Sequence, residues 1–166
     1  MHRRLTFFLI LIVTLLVQLT VSPEIGIGSV RPDVILVVTL CWALLEGAGQ
    51  GALFGFFGGL LEGIFSTAVL GVGAFSKTIL GYFCGELRQR VVSKSVIWPM
   101  IIIFFGSILS ELIKFSAWAI VGLEERPPLS FGIIVGFALY NAVITLLVYP
   151  VISRFAEREE KAMMFQ

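Results

Sequence analysis

The sequence predicts an all-α integral membrane protein of about six short transmembrane helices, and three observations lead to this fold class. Hydrophobic residues make up 58% of the 166-residue chain, charged residues make up only 14%, and the mean hydropathy is +1.00. A soluble domain of this size needs a more highly charged surface. The apolar residues are gathered into long runs, which is typical of helices surrounded by lipid. A chain of this length is expected to form a single transmembrane domain covering residues 1–166.

Turn residues and charges divide the apolar sequence into six predicted helices, with approximate ranges 5–21, 32–45, 51–65, 74–85, 95–121 and 131–151. The first run follows Arg3 and Arg4 as a secretory signal would, but no small-residue cleavage site follows it, so an uncleaved helix is expected. Pro32 suits the first turn of the second helix, where a missing N–H costs nothing. Helices two to four are too short to cross about 30 Å of hydrocarbon unaided, so either the bilayer thins there or they are partly re-entrant and sheltered by longer neighbours.

The distribution of lysine and arginine predicts the orientation in the membrane. With six helices, both termini, the turn near residue 48 and the loop 86–95 share one side of the membrane. The basic residues on that side are Arg3, Arg4, Arg88, Arg90, Lys94, Arg154, Arg158 and Lys161, and those on the other side are Arg31 and Arg126. Because basic residues favour the cytoplasmic side, both termini are expected in the cytoplasm. Five helices would place the two charged ends on opposite sides.

The most regular local pattern is a row of glycines at every fourth position, namely Gly47, Gly51, Gly55, Gly59 and Gly63. On a helix these residues form a groove in which a second backbone can approach closely. Two interpretations stay open. The groove can pack a helix of the same chain, or it can be the docking site for a helix of a partner.

Charged residues within or near the predicted spans are a second feature, and there are four of them: Glu62, Lys77, Glu111 and Lys114. A charge in hydrocarbon is costly, so each should have a partner or water. Glu111 and Lys114 are three residues apart and can pair on one helix face. Glu62 and Lys77 flank a short connection and can pair across it. The functional alternative is a proton path or an ion site.

The tripeptide Arg31-Pro32-Asp33 opens the second predicted helix. It is expected at the outer interface of the membrane, where Arg31 can reach lipid phosphates. The negative charge of Asp33 is favourable at the N-terminus of this helix, which is the positive end of the helix dipole. A contact with a partner protein is the alternative interpretation of these two charged residues.

Enzyme motifs and metal-ligand patterns are missing from the sequence. It contains no GxSxG, Walker A or HExxH motif, and its single histidine, His2, cannot form a catalytic or metal site alone. Cys41 and Cys84 lie in apolar runs and are expected to be buried free thiols. Neither catalysis nor a cofactor is therefore expected, and a net charge of +1 gives no indication of nucleic-acid binding.

The order and spacing of several motifs resemble those of the MreD family, the small membrane component of the bacterial rod-shape machinery. The matching motifs are Arg31-Pro32-Asp33, the glycine-rich run 51–62, Leu70-Gly71, Gly81-Tyr82, Tyr140-Asn141 and Tyr149-Pro150. Glu62 departs from the family pattern, in which aspartate is expected, but the negative charge is kept.

This resemblance implies a location, a set of partners and a role. It implies a place in the cytoplasmic (inner) membrane and binding to MreC, a single-pass protein with a periplasmic domain. MreB, RodA and a penicillin-binding transpeptidase would belong to the same complex, which supports peptidoglycan synthesis and cell shape. The resemblance also implies an architecture similar to the substrate-binding subunits of energy-coupling-factor transporters. A homodimer, a small-molecule-binding subunit of a vitamin-type transporter and a proton-coupled exporter stay open as alternatives.

Overall fold

The computed structural model describes residues 2–28, 30–65, 71–88, 95–121 and 130–164. These residues form six α-helices and no β-sheet, which confirms the predicted fold class. The helices are α1 (His2–Glu24), α2 (Val34–Glu46), α3 (Ala48–Phe65), α4 (Val72–Glu86), α5 (Ile97–Val121) and α6 (Phe131–Met164). Most of the predicted loop 86–95, together with Leu70 and Arg126, lies outside the described residues.

Two helix boundaries differ from the prediction in an informative way. Helix α2 begins at Val34 with Asp33 as its N-cap, so Pro32 precedes the helix and does not occupy its first turn. Helix α6 continues through Pro150 to Met164, whereas the sequence predicted that it ends near residue 151. The residues after this point, mostly Glu, Arg, Lys, Ala and Met, are strong helix formers and extend the helix beyond its apolar part.

Three helical segments are long and apolar enough to cross a membrane, namely Leu5–Glu24, Ile97–Ile120 and Phe131–Ala156. Helix α2 has 13 residues and covers only about 20 Å. It is nevertheless the most enclosed helix, because every residue from Val34 to Leu44 is buried by its neighbours. Its short length is therefore compatible with a membrane, since protein and not lipid surrounds its ends.

An aromatic cluster joins α1, α2 and α3 in the core. The ring centroids of Phe7 and Phe54 are 5.3 Å apart, and those of Trp42 and Phe54 are 6.2 Å apart. Trp42 and Phe54 are fully buried. Phe7 and Phe54 pack edge to face, and the Trp42 and Phe54 rings are tilted by 35°. Large buried aromatic residues contribute much apolar burial, so this cluster holds the first three helices together.

Helices α3 and α4 pack with their backbones almost in contact, and the glycine row explains why. A Cβ atom at Gly51 would lie 2.5 Å from the carbonyl oxygen of Gly81, and one at Gly59 would lie 2.5 Å from the Cα of Ala74. Gly55 is equally close to the backbone of Lys77. The groove is thus filled by α4 of the same chain, and a partner's helix cannot occupy it without displacing α4.

The predicted row contains two further glycines, Gly47 and Gly63. Gly47 is not part of α3, because it ends α2 with a φ of +94°, a conformation that side chains disfavour. Gly63 lies in the last turn of α3. The close contact with α4 nevertheless reaches Gly47, because a Cβ atom at Gly85 of α4 would lie 2.5 Å from the carbonyl carbon of Gly47.

Candidate functional site

The candidate site is built around the N-terminus of α2, which begins inside the bundle. The Asp33 Oδ1 atom accepts a hydrogen bond of 2.8 Å from the Leu36 N–H. The Asp33 N–H donates to Oδ1 of Asn141 on α6 at 3.0 Å, and the Val34 N–H donates to Oε1 of Gln18 on α1 at 2.7 Å. The first N–H groups of a helix have no partner within it, so these three side chains allow α2 to start away from water.

The second carboxylate oxygen of Asp33 connects two lysines. Asp33 Oδ2 lies 2.8 Å from Nζ of Lys77 on α4 and 3.5 Å from Nζ of Lys114 on α5. Lys77 also contacts Oε2 of Glu62 on α3 at 2.6 Å, and Lys114 contacts Oε1 of Glu111 at 2.9 Å. The five residues form a continuous series, Glu62–Lys77–Asp33–Lys114–Glu111, here named the ion-pair chain.

The centre of the ion-pair chain is sealed, and both of its ends are partly accessible. The side chain of Lys77 is 1% exposed and that of Asp33 is 6% exposed. Glu62 is 21% exposed at one end, and Lys114 and Glu111 are 25% and 30% exposed at the other. Buried charges are tolerated when they are paired and hydrogen-bonded, so the central pair ties α2 to α4 within the core.

Asn141 shows how deep this site lies along the helices. It is ten residues from Phe131 at the start of α6, which is about 15 Å, and 13 residues from Arg154, which is about 20 Å. Its amide nitrogen donates to Ser107 Oγ on α5 at 3.0 Å. The ion-pair chain therefore lies well inside the apolar segment Phe131–Ala156, since its central residue Asp33 is bonded to Asn141.

The structure adds detail to the sequence-based expectation for the Arg31-Pro32-Asp33 tripeptide. Arg31 is exposed, whereas Asp33 is buried in the bundle. The expected role of Asp33 at the helix N-terminus is confirmed by its contact with Leu36. The turn before it is also anchored, because Ser22 Oγ donates to the Pro32 carbonyl at 2.6 Å.

Both ion pairs expected from the sequence are present, and the structure adds what the sequence analysis missed. Asp33 joins the Glu62–Lys77 pair to the Glu111–Lys114 pair. Gln18 and Asn141 were not recognised as supports of this junction. The available signal was their polarity, because an amide side chain in an apolar run needs an internal partner.

Other polar contacts strengthen the same region. The hydroxyls of Ser76 on α4 and Ser110 on α5 are 3.0 Å apart. The Lys114 Nζ lies 5.6 Å from the ring centre of Phe137 on α6, a distance that allows a cation–π contact. Helices α4, α5 and α6 are thereby connected at the level of the ion-pair chain.

The charged side chains of this region form ion pairs with one another. The described residues contain no group of three or more His, Cys, Asp or Glu that could hold a metal ion. Cys41 and Cys84 are buried free thiols, as expected, and the Cys84 sulfur is 3.6 Å from the Leu40 carbonyl oxygen. The site is therefore a set of ion-paired charges supported by amides and hydroxyls.

Comparison with known proteins agrees with the resemblance noted in the sequence. The family model for MreD, described as rod shape-determining protein MreD, matches residues 1–158. Comparison with curated proteins and with solved structures gives no significant match, so the similarity to energy-coupling-factor subunits stays a prediction. Because the matched region covers nearly the whole chain, this chain belongs to the MreD family of rod shape-determining membrane proteins.

Proposed function

We propose that this chain is a non-catalytic scaffold of the rod complex that binds MreC in the bacterial inner membrane and supports peptidoglycan synthesis and cell shape. The observation that supports a scaffold is how completely the buried polar side chains are satisfied internally. Among the described residues, Trp42 Nε1 is the one buried side-chain nitrogen or oxygen atom without a hydrogen-bond partner. Groups bonded in this way hold helices in place and are not poised to bind and transform a substrate.

The outer surface of the bundle suits lateral contacts within a membrane. Large apolar side chains are exposed on every helix except the enclosed α2, among them Phe8, Phe56, Phe83, Phe105 and Leu147. Such surfaces are compatible with lipid and with the membrane helices of partners. Arg31 is exposed at the start of α2 and is a candidate for contact with a lipid phosphate or a partner.

The proposal includes an orientation with both termini in the cytoplasm. It rests on the excess of basic residues at the ends of the chain and in the loop 86–95. In this orientation the α5–α6 connection faces the periplasm, which is the side on which the folded domain of MreC would lie.

Co-purification tests the proposal directly. The tagged chain is expressed together with MreC, extracted in a mild detergent and captured, and MreC is expected in a fixed ratio to the chain. An unrelated single-pass protein expressed at the same level is the control. Equal recovery of MreC and of the control protein would contradict the proposal. A stoichiometric small molecule seen by native mass spectrometry, with no MreC, would instead favour the transporter-subunit alternative.

A further inference from the structure

The ion-pair chain has one more carboxylate than ammonium group. It contains three acidic and two basic side chains. The exposed charges nearest to Asp33 on either side of the α1–α2 turn are Glu24 and Arg31, which carry opposite signs and leave this balance unchanged. With every group ionised, the described residues of this region carry a net charge of −1.

Glu111 is the position at which the excess negative charge is most accessible from outside the bundle. Among the described residues, the ion pair of Glu111 is the one from Oε1 to Lys114, an ammonium group that it shares with Asp33. Glu111 is also the most exposed member of the ion-pair chain, at 30%. It lies on α5, one of the three segments long enough to span a membrane, so a second membrane helix can lie beside it.

The position of Glu111 within the span restricts what can neutralise it. Helix α5 continues for ten residues beyond Glu111 to Val121, which is about 15 Å. At such a depth, a carboxylate that shares its ammonium partner with a second carboxylate is incompletely neutralised, which is costly. A metal ion needs several ligands, and the described residues contain no group of three or more His, Cys, Asp or Glu that could hold one. A lysine or arginine on a neighbouring membrane helix faces the same cost, and pairing with Glu111 relieves both.

From this charge complementarity we propose that a lysine or arginine in the membrane segment of a partner protein contacts Glu111 and completes the ion-pair chain. The inference rests on the proposed function, because the partner to which it commits is the single-pass protein of the rod complex. It adds a contact surface, the exposed side of α5 around Glu111, and a chemical requirement, one basic residue within the partner's span.

The first test removes the charge without changing the size of the side chain. Glu111→Gln is expected to lower recovery of MreC at least tenfold, while the thermal melting of the chain stays close to that of the unchanged protein. Glu24→Gln makes the same charge change at an exposed position outside the ion-pair chain. This control variant is expected to recover as much MreC as the unchanged protein. Replacing the basic residues of the MreC membrane segment with glutamine, one at a time, should reproduce the loss at one position.

A second test leaves the ion-pair chain intact. A photo-crosslinking amino acid is placed at Leu112, which is exposed beside Glu111, and in a separate variant at Leu16, an exposed position on α1, which contributes no residue to the ion-pair chain. Crosslinks to MreC are expected from position 112 and not from position 16. Crosslinks from 112 to a second copy of this chain, or to lipid only, would overturn the inference.

The outcomes separate this inference from the function on which it rests. If the unchanged chain fails to recover MreC, the proposed function fails. If the unchanged chain and the Glu111→Gln variant recover MreC equally well, the function stands and this contact is refuted. A partner whose membrane segment contains no lysine or arginine also refutes it.

Discussion

Lys77 of α4 contacts Asp33 at the N-terminus of α2, with 2.8 Å between Nζ and Oδ2, although the two residues are 44 positions apart. Both side chains are almost completely buried, and each has a second charged partner, Glu62 for Lys77 and Lys114 for Asp33. The contact fixes the start of the enclosed helix α2 against the α3–α4 pair. It is therefore expected to contribute strongly to the stability of the bundle.

Replacing Lys77 with methionine tests the importance of this contact. The change leaves the buried Asp33 with only the more distant Lys114 and the partly exposed Glu62 without its lysine, and breaking a buried pair in this way typically costs about 3–5 kcal/mol. The Lys77→Met protein should lose much of its thermal stability in detergent. The double variant Lys77→Met/Asp33→Asn should recover part of it. Lys114→Met is the matched control and should cost less, because Lys114 is 25% exposed. Equal melting temperatures for Lys77→Met, the double variant and Lys114→Met would contradict the structural role of the contact.

Replacing Gly59 with alanine tests the close packing of α3 on α4. The added methyl group would meet the backbone of Ala74, and overpacking of this kind costs about 1–3 kcal/mol. Gly49→Ala is the control, because Gly49 lies in the same helix and an added Cβ atom there would have no neighbour within 4 Å. The melting temperature of purified protein should fall for Gly59→Ala only. MreC recovery per folded molecule should be unchanged for both, and a specific loss of MreC with normal melting would contradict internal packing.

Replacing Asn141 with leucine tests the support of the α2 N-terminus. The change removes the acceptor of the Asp33 N–H and the donor to Ser107. An unsatisfied buried polar group costs about 1–3 kcal/mol, so the variant should unfold at lower temperature or lower denaturant concentration. Leu139→Ala removes a lipid-exposed side chain of the same helix and should have a smaller effect. The reverse order of effects would show that Asn141 is not structural.

Cysteine labelling tests the proposed orientation, with Arg31→Cys and Arg88→Cys as probes. Both positions are exposed, and the two native cysteines are buried and should stay unlabelled in the folded protein. A membrane-impermeant maleimide applied to the outer surface of spheroplasts should label position 31. Position 88 should react only after the membrane is permeabilised. Labelling of both positions from outside would refute the six-span orientation with cytoplasmic termini.

The sequence by itself determined the fold class, the approximate positions of the helices and the local charge pairs. Apolar runs exclude water along whole segments, so they predict helices without reference to the rest of the fold. The Glu111–Lys114 pair follows from a spacing of three residues on one helix. Glycines at four-residue intervals predicted a close backbone contact, and Gly51, Gly55 and Gly59 make one.

Only the tertiary structure decided which elements meet. The pattern of glycines cannot show that α4 fills the groove, because any helix can approach a surface without side chains. The tripeptide at residues 31–33 suggested a helix start at a membrane surface, whereas Gln18 and Asn141 supply hydrogen bonds that allow α2 to start within the bundle. The junction of the two ion pairs at Asp33 depends on contacts across 44 and 81 positions. Such contacts arise from the packing of α2, α4 and α5 together, which no local pattern encodes.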